Sequence, residues 1–171
     1  MSQTRRLSLG WMALLAASIC CLGQAPACAP KPSSGCVTHS QIYYVNRQFG
    51  FRFTLPPDWT GYTILLGEWG GDWNGDSDRP DEKGPILSIR HPGWTEDNPW
   101  QDIPIMIFTH AQWRAVDSGA LIVSAAPFGP QEIGRNRRYV FALPPRYLVD
   151  ENKGYEDVLR IMQGHPLHAL R

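Results

Sequence analysis

From Gln41 onward the chain alternates apolar and polar positions in short runs broken by glycine and proline. The clearest run is Phe49-Gly-Phe-Arg-Phe-Thr-Leu55, where Phe49, Phe51, Phe53 and Leu55 recur every second residue. That period places all four on one face of a half-buried strand. Ile42–Val45, β-branched and aromatic, forms a strand before it, with Asn46-Arg47 at the turn. Pro56-Pro57 ends the second strand, since proline donates no ladder hydrogen bond, and Trp59 then folds back over the apolar face. Further strands are expected at Tyr62–Trp69, Pro85–His91, Ile103–Thr109, Leu121–Ala126 and Arg138–Leu143, with Ile103–Thr109 central. A short helix over His110–Asp117 packs Trp113 inward. A closing helix over Gly154–Gly164 carries Val158, Leu159 and Met162 at helical spacing. Between them lie the long loops Gly70–Gly84 and Pro92–Asp102 and the connection Pro127–Arg137. The sum is an α+β domain over residues 41–171, an antiparallel sheet of six or seven strands covered by helices on one or both faces.

The first forty residues have a different character. A basic start, MSQTRR, is followed by 17 uncharged residues, Leu7–Gly23, and then by Ala25-Pro-Ala27. Small residues at −3 and −1 before Cys28 complete the layout of a bacterial export signal over residues 1–27; an uncleaved anchor is the alternative, at the short end of spanning lengths. The expected location is therefore periplasmic or extracellular. Residues 28–40, rich in Pro, Ser and Ala, form a flexible tether. Cys28 has two open fates there, lipid attachment, which makes a membrane-anchored lipoprotein, or a disulfide with Cys36.

Composition narrows the classes. The chain is 43% hydrophobic and 19% charged, the balance of a globular domain. Loss of Arg5 and Arg6 with the leader makes a formally neutral chain slightly acidic, which points away from nucleic acid as a partner. Acidic residues crowd Glu68–Asp102, whereas Arg114, Arg135, Arg137, Arg138 and Arg146 dominate the stretch that follows.

Candidate chemistry concentrates in one loop. His91-Pro-Gly-Trp94-Thr-Glu-Asp-Asn-Pro-Trp100-Gln-Asp102 combines an imidazole, two indoles and three carboxylates between two strands. Loops so placed carry binding residues, and indole faces suit sugars, cations and peptide aromatics. The bland alternative is that the tryptophans cap the sheet and His91 bonds a neighbouring backbone group. Arg146, just past a strand end, is placed to hold an anion or to pair with a carboxylate. The binding candidates are thus His91, Trp94, Trp100 and Arg146. In Asp72-Trp-Asn-Gly-Asp-Ser-Asp78 the oxygen side chains alternate as in a calcium loop, but Ser77 and Lys83 stand where such loops need glycine and glutamate. The sequence has no nucleophile elbow, zinc-protease helix or phosphate loop, so no catalytic residue, metal or cofactor is assigned.

Phe49-Gly-Phe-Arg-Phe-Thr-Leu-Pro-Pro-Asp-Trp59 resembles the opening of the Mog1/PsbP-like fold. More broadly, residues 42–171 resemble an uncharacterised family of exported bacterial proteins through His91-Pro-x-Trp94, Gln101-Asp-Ile-Pro-Ile-Met106 and Tyr139-Val-Phe-Ala-Leu-Pro144. The resemblance implies a sheet sandwiched by helices and protein-binding roles, such as extrinsic subunits of membrane complexes, without catalytic residues. The expected function is an exported, non-catalytic binding or accessory protein of the cell envelope with a protein or small-ligand partner. A hydrolase-like enzyme using the His91 loop and a structural envelope protein are the alternatives. Mass spectrometry of the exported product should find a mature chain beginning near Cys28; a product still carrying Leu7–Gly23 would identify an anchored protein instead.

Overall fold

The computed structural model describes residues 41–149 and 152–170. The leader, the tether and both candidate fates of Cys28 lie outside them. Among the described residues nine strands form two sheets, with two helices: a mainly antiparallel α+β architecture.

The first sheet begins as the alternation predicts. β1 (Ile42–Asn46) and β2 (Phe51–Leu55) pair antiparallel, and Phe51, Phe53 and Leu55 are buried on one face. Phe49 sits outside β2, in the hairpin turn, where its ring meets Tyr139 edge-on at 5.4 Å. Gly50 adopts φ +74° to close this turn, a conformation that costs glycine little. Trp59 ends a single 3-10 turn, Pro57–Trp59, and is fully buried against the same face. The third strand of this sheet, β9 (Leu167–Ala169), pairs with β2. The sequence reading had no strand there, because three residues after a proline leave no period to read.

The second sheet has the order β6-β3-β4-β5-β8-β7. Its strands are β3 (Thr63–Trp73), β4 (Glu82–Arg90), β5 (Ile103–Thr109), β6 (Leu121–Ile122), β7 (Gln131–Arg135) and β8 (Tyr139–Leu143). The expected single sheet is thus two, and several boundaries shift. The Gly70–Gly84 loop shrinks, because β3 continues through Gly70 and Gly71, which pair with Lys83 and Glu82. Glycine is required on these strands. A Cβ at Gly84 would lie 2.5 Å from the Trp69 ring, and one at Gly71 would lie 2.8 Å from Val123. Trp69 lies over Gly84, its cross-strand partner, and its indole N–H donates to the Ile107 carbonyl at 2.9 Å. The strand expected over Leu121–Ala126 stops at Ile122, because only Leu121 and Ile122 find partners, on Trp73 and Asp72. The Pro127–Arg137 connection contains β7, whose register on β8 shifts at Glu132/Gly134. This bulge interrupts the alternation that would have revealed the strand.

Two cores result. Between the sheets, Phe51, Phe53, Leu55, Leu87, Ile89, Ile103, Ile105, Ile107 and Phe141 pack together, closed by Val158 of α2 (Tyr155–Gln163) and by Leu167. On the outer face of the larger sheet, Trp69, Met106, Phe108, Leu121, Val140 and Ala142 pack with Trp113 and Val116 of α1 (His110–Asp117). Thr109 caps α1 with a reciprocal capping box to Gln112. In α2, Val158 and Met162 face the inner core as expected, but Leu159 points outward at 40% exposure, and Ile161 takes its place.

Phe51→Asp places a carboxylate in the inner core beside Phe141, 4.9 Å away between ring centroids. Loss of about 4 kcal/mol or more is expected, a large share of the ~5–15 kcal/mol that holds a domain together. Arg52 lies on the opposite face over the Tyr43 ring, and Arg52→Asp should cost about 1 kcal/mol or less. A urea melt compares them, and equal effects would show that the strand or its facing has been misread.

Candidate functional site

The 92–102 loop leaves β4 and returns as β5, so two adjacent strands hold both its ends. His91, at its root, is only 8% exposed. Its imidazole stacks on Trp100, with centroids 3.7 Å apart and planes 11° from parallel. Trp59 meets it edge-on at 5.1 Å. The Gly93 N–H donates to His91 Nδ1 at 3.0 Å, which leaves Nε2 as the protonated nitrogen of the neutral ring. Nε2 is buried without a hydrogen-bond partner. Burial pushes the His91 pKa below its ordinary value. The Asp58 charge, the nearby Asp58 backbone (which does not reach hydrogen-bond geometry) and the Asp157 charge act the other way, and Lys153 adds to the depression.

The opposite side of Trp100 is built by the segment that precedes α2. The Lys153 ammonium lies 4.8 Å from the indole centroid. Gly154 has φ +76°, and a Cβ on it would stand 2.5 Å from the ring. Only glycine meets both conditions at low cost. Backbone bonds join the two segments, from Gln101 N–H to the Lys153 carbonyl at 2.8 Å and from Lys153 N–H to the Pro99 carbonyl at 3.1 Å. Gln101 completes the joint from a buried position. Its amide nitrogen donates to the carbonyls of Asp102 (2.8 Å) and Tyr147 (2.7 Å), and its oxygen accepts from the Val149 N–H at 2.9 Å.

Trp94 is held from a different direction. The Arg90 guanidinium lies 3.8 Å from the centroid of its ring, and Asp102 grips that guanidinium with both oxygens, the shortest bond 2.8 Å. A planar cation fixed by a bidentate carboxylate offers a rigid face to an indole. Trp94 remains partly exposed on this stack. Glu96 and Asp97 are exposed on the loop, and Arg146 is exposed with φ +53°, next to the Tyr147 carbonyl that Gln101 binds.

The structure therefore joins His91 to Trp100 and sets Trp94 apart on Arg90. Gln101 and the Lys153-Gly154 pair, which organise the loop, were missed in the sequence. Gln101 sits in a run of polar loop residues, and its burial depends on segments some fifty residues away; the Asn-Lys-Gly turn at 152–154 was the one local signal. Chemically, His91 has one nitrogen engaged by backbone and no hydrogen-bonded carboxylate, so it lacks the orienting partner of a general base. Among the described residues, no three His, Cys, Asp or Glu side chains gather to hold a metal. In the acidic hairpin, Asp72 belongs to β3, the Asn74 amide donates to the Gly119 carbonyl at 3.2 Å, and Arg79 covers Trp73. A groove of about 670 Å³ runs between Pro56–Asp58 and Asp157, Arg160 and Ile161 of α2, and His91 and the two loop tryptophans do not line it.

No family model, curated protein or solved structure matches the chain.

A depressed histidine pKa has a defined sign. Protonation favours the unfolded chain, so the stability His91 contributes is present above its unfolded pKa of about 6.5 and is lost as pH falls below it toward the lower folded value. Denaturant melts between pH 7.5 and 5 should show stability falling with pH, and His91→Gln should flatten that slope. An unchanged slope in the variant would show that the imidazole titrates as it does in water.

Proposed function

We propose that this chain is an exported, non-catalytic binding or accessory protein of the bacterial cell envelope. Its scaffold is read as a Mog1/PsbP-like sandwich, and its partner, a protein or a small ligand, docks on the 92–102 loop. The observation that carries this reading is Trp94, a large, partly exposed indole braced by the Arg90–Asp102 pair. A ring already held in place gives up little rotamer freedom on contact, so more of its apolar area becomes affinity. His91 and Trp100 support the loop from beneath, and Arg146 belongs to the neighbouring turn that Gln101 ties to it. The leader over residues 1–27 supports the location. The enzymatic alternative is disfavoured by a buried His91 whose Nδ1 is already bonded to Gly93.

The two tryptophans separate binding from folding. Trp94→Ala should abolish capture of partners by the mature protein from envelope extract, with a stability loss under about 1 kcal/mol. Trp100→Ala removes the stack on His91 and the packing on Gly154, and should cost about 3 kcal/mol in the same melt. Undiminished capture by Trp94→Ala, or no specific capture by the wild type, would overturn the reading.

A further inference from the structure

The two outer edges of the six-stranded sheet differ in kind. β7 carries Glu132 and Arg135 and a bulge at Glu132/Gly134, and Gly134 approaches the Leu167 side chain of β9 so closely that a Cβ would lie 2.8 Å from it. Charges, a bulge and a covering element are the devices that stop a sheet edge from pairing with another chain. β3 has none of them over its first half. Among the described residues, β6 pairs only with Asp72 and Trp73, so Thr63–Gly70 is paired on one side alone, with β4. That stretch contains no proline and no lysine, and its first charge is Glu68. Leu66 stands 81% exposed and Leu65 37% exposed.

We propose that this edge pairs with the same edge of a second copy, joining two six-stranded sheets across a two-fold axis. Antiparallel pairing of identical strands is self-complementary: every free backbone donor and acceptor meets its counterpart on the partner. A two-fold axis perpendicular to the sheet sets one residue opposite itself, and side-chain chemistry selects which. With Leu65 on the axis, Ile64 pairs with Leu66 of the partner on the face that carries Leu87 and Ile89, and Leu65 meets Leu65 on the other face. With Leu66 on the axis, Glu68 is set against Ile64. With Gly67 on the axis, Glu68 is set against Leu66. Both alternatives press a carboxylate onto an aliphatic side chain. The Leu65 register instead sets Glu68 against Tyr62, whose hydroxyl can donate to a carboxylate, so of these three registers the axis at Leu65 is favoured. In that register the two Glu68 carboxylates lie at opposite ends of the ladder, about 20 Å apart at ~3.4 Å per residue. The ladder is short, and a single strand pair covers less than the about 1,200–2,000 Å² of a stable interface. The dimer is therefore reversible and concentration-dependent. Unlike the proposed function, it does not involve the 92–102 loop.

Sedimentation equilibrium of the mature protein over a hundredfold concentration range should show a monomer–dimer equilibrium. Leu66→Lys should weaken dimerisation at least tenfold and leave the melting temperature unchanged, because the residue it replaces is already in water. Leu65→Cys, with Cys28 and Cys36 replaced by Ser, should form a disulfide-linked dimer under mild oxidation, since residues opposed across an antiparallel ladder bring their Cβ atoms within about 5.5 Å. Ile122→Cys in the same background, exposed but outside the edge, should not. A wild type monomeric at every concentration would overturn the proposal, leaving the edge to a strand from another protein. Undiminished association in Leu66→Lys, or cross-linking at residue 122 but not at 65, would overturn it as well.

Discussion

Everything in this fold depends on β5 being apolar on both faces. Ile103, Ile105 and Ile107 project into the core between the sheets, while Met106 and Phe108 project into the core under α1. A strand buried on both sides forces both faces of its sheet to be covered. The three-stranded sheet and α2 cover one face, and α1 with Trp69 and Leu121 covers the other. The two covers follow from local chemistry already present in the chain. The Phe51–Leu55 alternation can bury only one face, and the capping box of Thr109 and Gln112 turns the chain from the end of β5 directly into α1.

The candidate loop inherits its order from the same strand. Asp102 stands one residue before β5 and grips Arg90 at the end of β4, so the ion pair bridges the two strand ends from which the loop springs. The effect of this part-buried pair is geometric, because it fixes the plane on which Trp94 lies. Gln101 does the corresponding task for the inner side. With all its amide atoms bonded to backbone, it ties the loop to residues 147–149 without leaving a buried polar group unsatisfied. One loop thus carries two half-buried tryptophans, one stacked on His91 and the other on the Arg90 guanidinium.

Strands with a strong period were legible in the sequence. β2, β5 and β8 appear within two residues of their expected ends, because Phe51, Phe53 and Leu55, the Ile103–Phe108 run and Val140–Leu143 follow apolar patterns that burial itself writes. The failures have specific causes. β3 was cut short at Trp69 because Gly70, Gly71 and Gly84 read as loop, whereas Gly84 admits the Trp69 ring and Gly71 the Val123 side chain. β7 was hidden by its bulge, and Leu121–Ala126 was overread because apolar content alone does not supply a pairing partner. At the candidate site the residues were named, but their division of labour was not. Nothing in the spacing of His91, Trp94 and Trp100 tells that one indole stacks on the imidazole and the other on Arg90, since each stack depends on residues brought in from Lys153-Gly154 or Asp102.

The position of Trp100 also explains why the C-terminal part of the chain docks where it does. Lys153 is bonded to Pro99 and Gln101, and Gly154 lies flat against the indole. α2 starts at the next residue, so its first turn is aimed by the loop before Val158 reaches the inner core. Displacing Trp100 therefore disturbs the start of α2, the helix whose Val158 packs in the inner core. Trp94 has no such route inward. Its support ends at Arg90 and Asp102, which are part-exposed side chains at the ends of β4 and β5. The two tryptophans of the loop thus rest on different supports, Trp100 on His91 and the Lys153-Gly154 turn, Trp94 on Arg90.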